Sequence, residues 1–284
     1  MGEFVVAPAS VDDMGLLAEW ATAEGWNPGT GDERIFFPVD PGAFLVGRLD
    51  GHPITSISVV RYGTGHGFLG FYLTVPEHRG RGYGLRTWQT GLHRLAGRVI
   101  GLDGVVAQQA NYRRSGFQPA WTNIRYRGVP RLDPVATGST LVDARGVSFQ
   151  ELAAYERRFG PAGRDTFLAL WISAPNHHAL AVLRDGALAG LGVRRPAAEG
   201  ARIGPLYAAS PEIAAELLNA LSHDEDDDRL SEIALDVPTV NGDAVALAER
   251  AGLTPSFETA RMYTTARPDI DVSGFYAVAC LELG

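Results

Sequence analysis

One pattern is written twice in this chain, and the second copy follows the first at a nearly constant distance. Asp50-Gly51 lies between the apolar runs 44–49 and 54–60, and Asp185-Gly186 lies between 180–184 and 187–193, 135 positions on. Asp-Gly supplies the positive φ angles of a two-residue hairpin turn, so each stretch reads as strand, turn, strand. Pro76-Glu77, after residues 71–75, recurs 135 positions later as Pro211-Glu212, and the helix-ending Gly116-Phe117 recurs after 136 as Gly252-Leu253. These landmarks imply a tandem duplication, and 284 residues are enough to give each copy its own core. The expected halves are residues 1–129 and 130–284, joined across 129–137, where Pro130 and Pro134 discourage regular structure.

Side-chain chemistry narrows what such a protein does. All 25 basic residues are Arg. That excludes a Schiff-base lysine and a P-loop lysine. With 33 acids the net charge is −8, which argues against a nucleic-acid partner, because such binding rests on neutralising phosphates. The charge is uneven: 12 Arg and 11 acids up to residue 130, then 13 Arg and 22 acids. An acidic half suits a cationic partner such as an amine, and solubility explains it equally well. Cys280 stands alone, so neither an intramolecular disulfide nor a Cys-cluster metal site is expected. It reads as a small buried residue of the last strand. His177 and His178 are adjacent at a strand start and point to opposite sides, which disfavours a shared metal. The run His223-Asp224-Glu225-Asp226-Asp227-Asp228-Arg229 reads as a solvated loop. No signal peptide, membrane-spanning run or metal site is expected, and the reading is a cytoplasmic monomer or homodimer.

The copies differ after the Pro-Glu landmark. The first runs Arg79-Gly80-Arg81-Gly82-Tyr83-Gly84 and then a helix from 85 to about 95; the second enters a helix over 213–221 with no glycine loop. Glycines let backbone approach a ligand and turn N–H groups inward, and a helix N-terminus adds positive potential. Together they make a pyrophosphate cradle, although a glycine-rich turn with no ligand has the same sequence. Asp103, 19 residues past Gly84, imitates the ribose-binding acid of a dinucleotide fold. The Gly-x-Gly-x-Gly spacing and the hairpin ahead of the loop oppose that reading.

Residues 75–84, from Val75 through the glycine loop, resemble the acetyl-CoA loop of the GNAT superfamily, Arg/Gln-x-x-Gly-x-Gly/Ala. Tyr112-Arg113-Arg114-Ser115-Gly116-Phe117 resembles its later Tyr-x-x-x-Gly-Phe helix end. Residues 24–29, 100–112 and 258–263 look like its two-half, YitH-like branch. The resemblance implies an α/β (α+β) architecture of tandem GNAT folds, each a mixed, mostly antiparallel sheet flanked by helices.

The resemblance also implies an N-acetyltransferase that moves acetyl from acetyl-CoA to a primary amine of a small molecule, peptide or protein by direct attack in a ternary complex, with no metal. Its cofactor-binding residues would be Leu73, Thr74 and Val75 along the pantetheine and Arg79, Gly80, Arg81, Gly82, Tyr83, Gly84 and Leu85 around the pyrophosphate. Gln108, Asn111 and Arg114 would add contacts, although Ala107-Gln108-Gln109-Ala110 replaces the usual Asn-x-x-Ala opening of that helix. A backbone N–H near Leu73 would stabilise the oxyanion. Tyr112 sits where the family places the general acid, and a packed aromatic fits the position too. The second half has Ala248 there, so it reads as a catalytically silent copy that shapes the acceptor pocket. Glu24 is the candidate base or ammonium site, or simply a helix-end acid, with Trp26, Asn27 and Tyr72 as acceptor wall. Tyr72 and His66 border the same strand, and both also suit a structural role. A non-catalytic acyl-CoA sensor and an O-acetyltransferase remain open alternatives. With no lysine of its own, such an enzyme offers only its N-terminal amine as a self-acceptor, so the acceptor is another molecule.

Overall fold

Both Asp-Gly turns form: Asp50, Gly51, Asp185 and Gly186 have φ of 49°, 84°, 51° and 77°. Residues 2–133, 137–223 and 230–284 are described by the computed structural model. Pro134 of the expected join and residues 224–229 of the expected acidic loop lie outside the described residues.

The first copy runs β1 (Phe4–Pro8), α1 (Val11–Ala23), α2 (Asp32–Phe36), β2 (Phe44–Leu49), β3 (His52–Tyr62), β4 (His66–Thr74), α3 (Tyr83–Arg94), β5 (Val99–Val105), α4 (Gln109–Arg114) and β6 (Gln118–Gly128). The second repeats that order as β7 (Thr140–Asp143), α5 (Phe149–Glu156), α6 (Asp165–Ser173), β8 (His178–Arg184), β9 (Ala187–Pro196), β10 (Ala201–Ala208), α7 (Pro211–Leu221), β11 (Ile233–Pro238), α8 (Gly242–Arg250) and β12 (Thr254–Tyr263). A short β13 (Phe275–Ala277) follows. The sheet is mixed and mostly antiparallel: among the described residues only β4–β5 and β10–β11 pair in parallel. No helix among the described residues is long and apolar enough to cross a membrane.

The strands join into one sheet in the order β1-β2-β3-β4-β5-β12-β6-β11-β10-β9-β8-β7. Each copy's final strand therefore lies in the other copy's half of the sheet: β12 pairs with β5, and β6 pairs with β11. The exchange is fastened by two equivalent ion pairs. Arg125 of β6 is the cross-strand partner of Asp236, with contacts of 2.8 and 3.2 Å. Arg261 of β12, 136 residues later, is the cross-strand partner of Asp103, with contacts of 2.8 and 2.7 Å. All four side chains are buried. Asp103 is thus committed to Arg261 and Asn123, and it holds no ribose at the glycine loop.

Three apolar clusters fill the space around the sheet. One packs under α3 and α4, with Trp88, Tyr112 and Phe117. One packs under α7 and α8. The largest lies between the copies and joins α1, α2, α5 and α6, with Phe36 stacked on Trp171 at 6.0 Å. The C-terminal tail runs through this central layer. β13 pairs with β10 at Leu206 and Tyr207, and the chain then crosses to the first copy, where Tyr62 donates to the Leu283 carbonyl at 2.8 Å. Glycine permits the passage: a Cβ at Gly70 would lie 2.1 Å from the Glu282 carbonyl oxygen, and one at Gly204 would lie 2.2 Å from that of Val278. Cys280 is buried as expected, but it sits beyond β13, because the tail has left β10 by then. Burial pushes its thiol up to about 12, so it is no nucleophile at neutral pH. His177 is buried against Trp171 and beside Asp32, while His178 opens β8.

The buried charges predict an acid response. Burial works against the Asp236 carboxylate, but the Arg125 and Arg202 guanidiniums outweigh it and hold its pKa at about 2, against 3.8 for a free side chain. A depressed folded pKa contributes stability that is complete above the unfolded value and is lost as pH falls through the folded one. Stability should therefore drop between pH 3.8 and about 2. Circular dichroism across that window should show a shallower fall for Asp236→Asn, from a lower starting stability.

Candidate active site

The site begins with a fault in β4. Its register against β3 slips between Ser56 and Ser58, and Phe71, opposite the slip, takes a φ of 44°. A non-glycine residue in that region is strained and marks a bulge. β4 pairs with β5 only from His66 to Leu69, so past the bulge its edge is free and the two strands diverge. A free strand edge offers N–H and C=O groups to any extended ligand.

At the mouth of the gap stands α3, which begins at Tyr83, two residues earlier than expected. Its N-cap is Gly82, with φ 84° and no capping side chain. The first-turn N–H groups, of Tyr83, Gly84 and Leu85, therefore have no intrahelical acceptor. Gly84 lets the helix approach β4: a Cβ there would lie 2.8 Å from Thr74 Oγ1 and 3.1 Å from the Tyr72 hydroxyl. The cleft beneath this helix end takes in about 1170 Å³, open solvent at its mouth included, and its walls include Leu73, Thr74, Gly80, Gly82, Leu85 and Gln108. Behind it lies an inner chamber of about 590 Å³, mouth included, lined by Tyr112. Trp26, Tyr72, Val105 and Gln108 line both spaces, so the two adjoin.

The sequence-predicted residues divide between these spaces. Tyr112 is buried and stacks on Trp88 at 5.3 Å. Burial, helped by nearby Tyr72, raises its phenol above the ordinary value, so it stays protonated at neutral pH. Glu24 lines the outer cleft, where it pairs with Arg79, whose Nε donates to the Thr74 carbonyl at 2.8 Å. Glu24 and Tyr112 are not brought to the same chamber. Val75 donates its N–H to Ile54 on β3 and so has none for the gap. Tyr83 turns its ring onto Phe4, at 4.8 Å, and Arg81 is exposed. Asn111 donates to Gln108 at 2.5 Å and accepts from Arg114 on the open face of α4. Asn27 holds both backbone groups of Glu199 in the β9–β10 turn, at 3.0 and 3.2 Å, and lines neither space. His66 lines a separate cavity between the copies.

The second copy shows what the first keeps open. Its helix α7 starts with Pro211, which has no N–H, and Ser210 caps it by accepting from Ile213. Its β10–β11 gap is filled by the chain itself, because β13 pairs with β10 at Leu206 and Tyr207, the counterparts of Phe71 and Tyr72. Both the cradle and the channel are closed there.

Sequence reasoning missed the four residues that the second copy contributes to the inner chamber: Phe257, Thr259, Leu281 and Glu282. They arrive on β12 and the tail, so only the strand exchange places them beside Tyr112. The available signal was Glu282 itself, a lone acid in the apolar stretch from 275 to 283.

Residues 152–277 match the acetyltransferase (GNAT) domain family, and residues 13–117 match the acetyltransferase (GNAT) family. Holothin acyltransferase of Pseudoalteromonas sp. (strain SANK 73390) is 30% identical over 279 residues, 98% of this chain and 93% of that protein. A candidate acetyltransferase of Pyrococcus horikoshii shares the fold with a TM-score of 0.82 at 19% identity, covering 99% of this chain and 96% of its own. A tandem GNAT protein from the clavulanic acid biosynthesis pathway matches with a TM-score of 0.62 at 15% identity, over 93% of this chain and 100% of its own. The chain belongs to the GNAT family of acyltransferases and carries two copies of its domain in tandem.

Proposed function

We propose that this protein is an N-acetyltransferase that uses acetyl-CoA as donor and a primary amine as acceptor. The observation that carries the reading is continuity: an uncapped helix N-terminus, a free strand edge and a buried phenol lie along one path. The residues present fit the coenzyme. The glycine loop and the N–H groups of Tyr83 to Leu85 would hold its pyrophosphate, and Arg81 would add positive charge, with Arg79 beside it paired to Glu24. The β4 edge up to Thr74 binds the pantetheine as an added strand, in the manner in which β13 lies on β10. When bound, the coenzyme supplies an activated thioester at the chamber.

In this reading Tyr112 donates its proton to the departing thiolate. Its raised pKa keeps that proton available at every pH where the amine is reactive. The second copy shapes the acceptor side through β12 and the tail. The family descriptions and the activity in the name of the 30%-identical relative support acyl transfer; acetyl as the acyl group and nitrogen as acceptor are the proposal.

Thiol release from acetyl-CoA across a panel of amines tests it. Turnover with amines and none with the matched alcohols is expected. Tight acetyl-CoA binding with no thiol release would overturn the enzyme reading in favour of a sensor. Tyr112→Phe should lower kcat about 100-fold or more and leave acetyl-CoA affinity unchanged. Unaltered kcat across pH would remove Tyr112 from the acid role.

A further inference from the structure

Two buried polar atoms at the inner chamber have no hydrogen-bond partner among the described residues: Glu282 Oε2 and Thr259 Oγ1. Both residues are more than nine-tenths buried. Leaving such groups unpaired is costly, so a site that keeps them is incomplete until a ligand enters. The other carboxylates are spoken for. Asp103 is closed by Arg261 and Asn123, and Glu24 pairs with Arg79 in the outer cleft. The rest of the chamber is largely apolar or aromatic, with Trp26, Phe71, Phe257 and Leu281 in its wall.

We propose that the chamber takes a compact, apolar primary amine with a single positive charge, and that Glu282 receives its ammonium and removes its proton. The proposal rests on the acyl-transfer reading above. One carboxylate in an apolar wall matches one cation on an apolar body. A polyamine would bury a second charge with no partner, and the chamber is too small for the body of a protein acceptor. Thr259 offers a hydroxyl as a second contact to the ammonium. Both polar groups come from the second copy, which assigns that copy the work of acceptor recognition.

The charged and titratable groups around Glu282 are Arg202 on β10, Arg195 on β9, Arg125 on β6, Asp32 on α2 and Cys280 on the tail, with Asp103, Tyr72 and Tyr112 also lining the chamber. Burial raises the proton affinity of Glu282 and Asp32 adds to it, against the three guanidiniums. A carboxyl raised in this way is a better base toward ammonium than one in water. In the step, Glu282 accepts one proton from the ammonium. The freed lone pair on nitrogen forms the N–C bond to the acyl carbon, and the C–S bond breaks with its electron pair on sulfur. The sulfur takes the Tyr112 proton, the second nitrogen proton restores the phenol, and Glu282 releases its proton to solvent. The products are an amide, a thiol and one proton.

Calorimetry with the coenzyme A complex of the full chain tests this, using benzylamine, benzyl alcohol and spermidine as probes. Benzylamine should bind and be acetylated when acetyl-CoA is supplied. Benzyl alcohol and spermidine should each bind at least about tenfold more weakly. Glu282→Gln should weaken benzylamine about tenfold or more, leaving benzyl alcohol and coenzyme A affinities unchanged. Unchanged benzylamine affinity in Glu282→Gln, a preference for spermidine, or no benzylamine binding to the coenzyme A complex would overturn the proposal while the acyl-transfer reading stands. If Glu282→Gln does not fold, the benzylamine-to-alcohol ratio in the wild type and a weaker benzylamine affinity in Thr259→Val decide in its place. Failure of coenzyme A itself to bind overturns both readings.

Discussion

Gly82→Glu should cut acetyl-CoA affinity by about 100-fold or more, measured by calorimetry, in a protein that still folds. Gly82 is the N-cap of α3, with φ 84° and nothing within 4 Å of a Cβ built on it. A side chain there fits sterically, at a backbone strain of about 1–2 kcal/mol. The new carboxylate would compete for the same N–H groups and positive end of the helix as the pyrophosphate, and would repel it. An acid near a helix N-terminus favours the helix, which offsets part of the strain. Folding and binding therefore separate in this variant. Gly82→Ala introduces the strain without the charge and should lose far less affinity. Retained affinity in Gly82→Glu would refute the cradle.

The second large effect concerns the exchanged strands. Arg261→Met should destabilise the protein by about 3–5 kcal/mol, because it leaves the buried Asp103 with Asn123 as partner but no cation. Burial disfavours both charges and raises the Asp103 carboxyl against the pull of Arg261, while Asp103 strengthens the hold of Arg261 on its proton; two contacts below 3 Å join the pair. Replacing both partners with apolar residues of similar size should recover most of the loss, since an apolar pair carries no desolvation cost. Urea denaturation measures both variants. Each copy's sheet is completed by the other's last strand, so the copies should unfold in one transition. A loss below about 1 kcal/mol for Arg261→Met, or a transition confined to one copy, would show that the ion pair does not fasten the exchange.

What was legible in the sequence was local. Asp50-Gly51 and Asp185-Gly186 demand positive φ, and that demand alone locates two hairpins. The glycines at 80, 82 and 84 mark a helix end stripped of its cap, and the spacing from Tyr112 to Phe117 marks the end of the next helix. The exchange of β6 and β12 was not legible, because alternating apolar residues show that a strand pairs without showing with which neighbour. Its trace was present as Arg125 and Arg261, two charges at the repeat distance, each of which meets an acid of the opposite copy. Glu24 reads as a free acid because the sequence cannot show that the loop before α3 folds back and brings Arg79 to it. Glu282 escaped for the converse reason. It lies 170 residues from Tyr112 in the chain, and only the tail crossing Gly70 places both at one chamber.

One copy keeps its cradle and channel open, while the other closes both with Pro211, Ser210 and β13. The stoichiometry of acetyl-CoA binding to the full-length wild-type chain measures this most directly. Calorimetry should give one acetyl-CoA per chain, and that site should be lost in Gly82→Glu. Two sites per chain, or a single site that survives Gly82→Glu, would contradict it.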